Sequence, residues 1–223
     1  KYFGVSMEKD MWVLTLTLIT TITSAVWGPL NEVFRTKFVF IREQEGAEKA
    51  VRKTASLVGF IFWVTIMIGL LLLVFASPIS GMMTKNMQAD AAALFISLLM
   101  LQIPSLLFNE LTNIGISILN AYDVYYIPEI VGFAGGLVNL AAIIALAPSW
   151  GIYSLLIGTY FGIFVLFGVV VYFLYKKDLK VWQHLFSVRW GDVKIFLLFA
   201  LPFFFPYFVG QFNALFEKYL AGM

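Results

Sequence analysis

The chain has no cysteine, one histidine and few charges: only 13% of its 223 residues are Asp, Glu, Lys or Arg. The absence of cysteine excludes disulfides, thiolate metal sites and cysteine nucleophiles. A single histidine, His184, cannot form a histidine-pair metal site, and neither an HExxH sequence nor a glycine-rich phosphate loop occurs. The shortage of charge is the strongest constraint. A soluble domain carries about 25% charged residues, whereas this chain is 61% hydrophobic with a mean hydropathy of +0.89. It reads as an integral membrane protein. No signal peptide is visible, because the first apolar run is too long and lacks a small-residue cleavage site. The chain starts at a lysine and stops just after an apolar run, as expected of a piece of something longer.

What is present is a series of long apolar segments, each near the roughly 20 residues a membrane helix needs. They span about 11–30 (continuing as an amphipathic helix to about 42), 56–78, 91–120, 127–147, 152–175, and from 192 onward. No segment alternates as a barrel strand does. The expected fold is therefore an all-α polytopic membrane protein with about six transmembrane helices. Gly28-Pro29 should bend the first helix, and Pro202 with Pro206 the sixth, since proline removes a backbone hydrogen bond.

Charge placement sets the orientation. Arg42, Lys49, Arg52 and Lys53 lie between the first two helices, and Lys176, Lys177, Lys180 and Arg189 between the fifth and sixth. The connection after the second helix has only Lys85, and the tight turns at Asp123 and Pro148 have no basic residue. Basic connections stay in the cytoplasm, so the first helix runs from outside to inside.

Three helices carry polar stripes. On the first, Asp10, Thr17, Thr21, Ser24, Gly28, Asn31, Glu32 and Arg35 recur at helical spacing, which suits a wall facing water or a polar substrate. The alternative is packing, with hydroxyls bonded to their own backbone and small residues admitting a neighbour. On the third, Gln102, Ser105, Asn109, Thr112, Asn113 and Asn120 form a second stripe with Glu110 and Ser117 at its edge. Helix-to-helix polar contacts compete there with a functional reading, in which a buried Glu110 carries a proton. On the sixth, Pro202, Pro206, Gly210, Asn213 and Glu217 share a face that can bend or meet an ion, or simply be kinked. Gly132, Gly135 and Gly136 read as close helix packing. His184, near Trp182 and Phe186, reads as interfacial.

Several phrases resemble the lipid II flippase (MurJ/MviN) family. ILNAYDVYYIPEIVGFAGGLVNLAAI (118–143) has the helix ending in Leu119-Asn120, a short turn, Pro128, and Asn139 within the next helix. GIYSLLIGTYFG (151–162) looks like the start of the following helix. GQFNALFEKYLA (210–221) resembles the opening of the second half, and Asp10 the acidic residue that opens the second helix. The resemblance implies that the chain covers the second to seventh helices. Residues 1–190 would then be the N-terminal lobe lacking its first helix, and 191–223 a truncated first helix of the second lobe. One departure stands out: the family has arginines within the second helix, where this chain has Thr23, Ser24 and Ala25.

The resemblance implies a non-enzymatic flippase that moves an undecaprenyl-pyrophosphate-linked sugar, such as a lipid II-like precursor, across the bacterial inner membrane by alternating access. Asp10, Thr17, Thr21, Ser24, Asn31, Glu32 and Arg35 are the expected substrate-binding residues. Glu110 and Glu217 are the candidates for ion or proton coupling, and Gly28, Pro29, Pro202 and Pro206 for hinges. Arg35 and Lys37 would receive the pyrophosphate at the cytoplasmic mouth. No cofactor or metal is expected, and the coupling ion (H+ or Na+) stays open. The expected partners are the lipid-linked oligosaccharide, membrane lipids and the missing helices of the same chain, with no nucleic acid. An exporter of O-antigen or capsule precursors or of drugs, a polytopic membrane enzyme and a scaffold subunit are the alternatives.

Overall fold

The computed structural model describes residues 6–85, 89–179, 181, 186 and 188–221, with backbone alone at 89, 214, 215 and 218–221. His184, Trp182 and Lys180 lie outside the described residues. The described chain is helical: α1 (Met7–Glu45), α2 (Ala47–Val74), α3 (Ala76–Met83), α4 (Ala89–Ala121), α5 (Tyr126–Trp150), α6 (Tyr153–Lys176) and α7 (Trp190–Ala221). All but the short α3 are long and apolar enough to cross a membrane.

Helix ends follow local chemistry. The Ser6 hydroxyl accepts from the Lys9 N–H, and Glu8 and Asp10 complement the positive end of α1. At 39 residues, α1 is about 58 Å long at 1.5 Å per residue, well beyond the roughly 30 Å of hydrocarbon. Its basic end therefore stands clear of the apolar layer. The turn into α2 is Gly46 alone, at φ 91°, where a side chain would be strained. Lys49, Arg52 and Lys53 thus lie on the first turns of α2, not in a loop; Lys53 pairs with Glu45 at 2.6 Å. The expected helix at 56–78 begins earlier, at Ala47, and is interrupted at Phe75, after which α3 continues. The helical pattern of α1 runs unbroken through Gly28-Pro29, and that of α7 through Pro202 and Pro206.

α1 is the spine. It packs against α4 and α7 and, less extensively, α2, while α5 and α6 form a hairpin that joins through α6 to α4. Two apolar clusters hold the bundle. The inner one gathers Phe34, Phe38, Ile61, Ile114, Leu174 and Phe196; Phe34 stacks on Phe196 at 5.6 Å. The outer one gathers Met11, Ile19, Leu72, Phe95, Leu98 and Leu156. The first part of α7 thus shares a core with the preceding helices. Contacts bring these connections together: Ser56 donates to Asp192 at 3.3 Å, and Arg42 to the Ala121 carbonyl at 2.6 Å. Both basic connections and the Asp123 turn are therefore at one end.

The α5–α6 hairpin closes on glycine. A Cβ at Gly158 would meet the carbonyl oxygen and side chain of Asn139, and one at Gly135 would approach the Gly162 carbonyl at 3.3 Å. Gly132 and Gly136 have open space instead, so only part of the glycine cluster serves close packing. Gly158→Val should lower stability by about 1–3 kcal/mol through overpacking. Gly136→Ala should be neutral or stabilising by up to about 1 kcal/mol from helix propensity. Thermal unfolding in detergent micelles separates the two.

Candidate functional site

Polar side chains inside a membrane bundle need partners, and most on α1 find them on α4 or on their own helix. Near the outer end, Gln102 donates to the Thr15 hydroxyl at 2.9 Å, and that hydroxyl donates to the Met11 and Trp12 carbonyls. Thr17 and Thr21 are buried, 9% and 8% exposed. They turn into the bundle rather than onto an open wall, which corrects the stripe as drawn from spacing. Thr20 takes the exposed face in their place, its hydroxyl donating to the Leu16 carbonyl at 2.9 Å. Asp10 is exposed at the outer end, and Ser24 and Asn31 are half-buried.

Deeper in, the stripes of α1 and α4 meet. The Asn31 amide donates to Glu110 Oε2 at 3.5 Å. Glu110 is 1% exposed and its Oε1 has no hydrogen-bond partner. The pair lies between the two apolar clusters, which end on α4 at Leu106 and Leu111.

Toward its C-terminal end α1 is open. Glu32 is exposed and accepts from the Tyr207 hydroxyl at 3.1 Å. The Tyr207 ring also fills the space a side chain at Gly28 would need, so Gly28 is a close-approach position between α1 and α7. Pro29 is buried. Arg35 is exposed; it donates to the Tyr125 hydroxyl at 2.6 Å and lies over that ring, and Tyr125 in turn donates to Asp123 at 3.0 Å. Lys37 sits over the rings of Phe40 and Phe199 at 4.7 and 5.2 Å. Tyr125 and Tyr207, absent from the sequence-based candidates, thus hold Arg35 and Glu32 respectively.

The remaining candidates lie elsewhere. Asn109 and Thr112 face an open pocket of about 220 Å³, lined mostly by apolar surface and shared with Asn139 and Thr159 of α5 and α6; Asn31 does not line it. Pro202, Pro206, Gly210, Asn213 and Glu217 are all exposed on one side of α7, with Asn213 donating to Glu217 at 2.9 Å. Tyr160 donates to the Leu101 carbonyl at 2.6 Å, one turn before Pro104, where proline disturbs the α4 ladder.

A family model described as lipid II flippase MurJ matches residues 1–223. A solved structure of a lipid II flippase MurJ in an inward closed conformation has the same fold, with a TM-score of 0.71 at 21% identity. That alignment covers 96% of this chain and 44% of the other, so the chain spans less than half the length of that relative. No curated protein matches the chain.

Cysteines placed singly in the full-length protein test the exposed face. Positions 20, 32 and 35 should react with a water-soluble thiol reagent, while positions 17 and 21 should not; equal labelling at 17 and 20 would contradict the face assigned to α1.

Proposed function

The chain belongs to the lipid II flippase MurJ family, and we propose that it supplies most of one half of a flippase for an undecaprenyl-pyrophosphate-linked sugar in the bacterial inner membrane. Residues 1–190 serve as the N-terminal lobe and 191–223 as the first helix of the second. The carrier is a multi-pass membrane transporter, and its partners are the lipid-linked sugar, the surrounding lipid and the remaining helices of the same chain.

The observation that carries this reading is the open cytoplasmic end of α1. A sugar-pyrophosphate headgroup cannot enter hydrocarbon without losing its hydration, at several kcal/mol per polar group. It needs a polar wall and a cation. Arg35 is exposed, and a guanidinium offers five donors in a fork that matches phosphate oxygens. Tyr125 and Asp123 hold that fork in place rather than neutralising it at close range, since the direct bond is to the hydroxyl. Lys37 adds a second cation nearby in sequence. Ser24, Asn31 and Glu32 offer hydroxyl, amide and carboxylate partners for sugar groups, and Thr20 continues that face outward.

Alternating access then needs the inner part of α1 to part from α7. The Gly28–Tyr207 contact and the Glu32–Tyr207 hydrogen bond are the places where it opens, with Gly28-Pro29 and Pro202 with Pro206 as the bending points. Glu217, bonded to Asn213 on the open side of α7, is the candidate for ion coupling at the outer end, with H+ or Na+ as the ion. The lack of arginine at residues 23–25 favours one further reading, a lipid-linked oligosaccharide other than lipid II.

In proteoliposomes bearing the full-length protein, Arg35→Ala should slow headgroup translocation about tenfold or more, the loss of roughly 1.5–3 kcal/mol expected for a hydrogen bond to a charged group. Arg35→Lys should recover part of it. Unchanged rates in Arg35→Ala at equal folded protein would remove the mouth from the substrate path. Running lipid II beside an O-antigen precursor decides between the two cargoes.

A further inference from the structure

A second group of cations gathers where α1, α4 and α6 end, apart from the Arg35–Tyr125 pair. Tyr122 directly follows α4, which packs against both α1 and α6. The Arg42 guanidinium of α1 lies 5.2 Å from the centre of the Tyr122 ring. The Lys177 ammonium, just past the end of α6, lies 5.9 Å from the same centre. Lys176 is beside it in sequence, over the Phe173 ring at 6.0 Å.

Helix chemistry accounts for part of this. Cations are favoured at helix C-termini, and Arg42 donates to the Ala121 carbonyl at the end of α4 at 2.6 Å. That bond uses one of five guanidinium donors. Among the described residues, the other four and the Lys177 ammonium have no acceptor, and neither cation has a carboxylate in ion-pair range. Glu45 is paired with Lys53, and Asp123 accepts from Tyr125. Asp178 is engaged in an interaction of its own, and Glu43 is exposed. A ring attracts a cation through its quadrupole but does not neutralise it. Two like charges drawn to one ring therefore repel each other, and an anion held by both would relieve the repulsion.

The depth of this group fits a lipid headgroup. α6 has 24 residues, about 36 Å at 1.5 Å per residue, against roughly 30 Å of hydrocarbon. Its last turn thus stands at the level of the headgroups. Phe161, Phe164, Gly168, Tyr172 and Tyr175 recur at spacings of three or four and are all exposed, so they share one open face of α6. Tyr172 and Tyr175 are 57% and 84% exposed on the last two turns, where tyrosine marks the boundary between lipid and water. That open face leads directly to Lys176 and Lys177.

We propose that Arg42 and Lys177, converging on Tyr122, form a binding site for the phosphate of an anionic phospholipid, whose acyl chains lie along the open face of α6. Basic residues between helix ends suit the anionic lipids of the cytoplasmic leaflet, and the charge rule puts this end of the bundle there. The bound lipid links the end of α1 to the end of α6, helices that meet chiefly through α4. The site does not depend on the flippase reading.

Native mass spectrometry of the full-length protein, released from detergent micelles, tests this with dioleoyl phosphatidylglycerol and dioleoyl phosphatidylethanolamine as probes. The wild type should hold one phosphatidylglycerol about tenfold more tightly than phosphatidylethanolamine, and Arg42→Gln/Lys177→Gln should lose that preference. Lys177→Gln alone, at an exposed position, should lose about fivefold, and it decides the matter should the double variant not fold. Lys85→Gln, at the opposite end of the bundle, should bind as the wild type does. Equal binding of the two lipids by the wild type, or an unchanged preference in Lys177→Gln, would overturn the proposal. Undecaprenyl pyrophosphate separates the two sources of phosphate. If it displaces phosphatidylglycerol and its own binding falls in Lys177→Gln, the anion belongs to the cargo and the phospholipid assignment is overturned. If its binding falls in Arg35→Ala and holds in Lys177→Gln, the two sites are distinct, as proposed.

Discussion

A polar atom in hydrocarbon must be satisfied by another protein atom or by water brought to it, and α1 is arranged around that requirement. Helix formation settles its backbone, apart from the turn that Pro29 disturbs. Its side chains are settled in three ways. Thr15 and Thr20 fold back onto carbonyls of the preceding turn. Thr15 also takes a hydrogen bond from Gln102 on α4, and Asn31 gives one to Glu110. Glu32 and Arg35 stay exposed, one steadied by Tyr207 of α7 and the other by Tyr125 of the turn before α5. The order runs from internal satisfaction at the outer end to open charge at the cytoplasmic end. A helix of 39 residues, about 58 Å long, has length for both regimes because the hydrocarbon takes up only about 30 Å of it.

The two apolar clusters give this gradient a mechanical meaning. Each is closely packed, and packed cores shift between discrete arrangements rather than deforming continuously. The outer cluster fixes α1 to the end of α2, α3, α4 and the start of α6; the inner one fixes it to α2, α4, α6 and α7. Between Ile19 and Trp27, α1 contributes no buried apolar residue to either. That interval has Thr20, Thr21, Thr23 and Ser24, with Ile22 and Val26 half-buried against the outer and inner clusters. A bend at Gly28-Pro29 would fall at the edge of the inner cluster, beside Trp27 and Leu30 and against Tyr207.

The helices were legible in the sequence because hydrocarbon imposes length and composition directly, and the shared end of the two basic connections because basic residues cluster there. The Gly46 turn was not legible. Charge from Arg42 to Lys53 reads as a loop, yet helix propensity there is high, and a lone glycine reverses the chain. The open face of α1 was misplaced by one residue, at Thr17 and Thr21 instead of Thr20. Summing polarity around a helix gives every threonine the same weight, although a hydroxyl bonded to its own backbone is as content buried as exposed. The Asn31–Glu110 contact had a signal, since both residues belonged to stripes, but periodicity cannot say which two stripes meet. Tyr125 and Tyr207 had no signal, because a tyrosine in an aromatic-rich membrane segment is indistinguishable from its neighbours until its hydroxyl has a partner 90 or 175 residues away.

The placement of charge follows what a pyrophosphate tolerates along such a path. At the mouth, cations are exposed and their anionic neighbours are held at one remove: Asp123 reaches Arg35 only through Tyr125. Deeper in, the acid side chain is Glu110, behind Asn31.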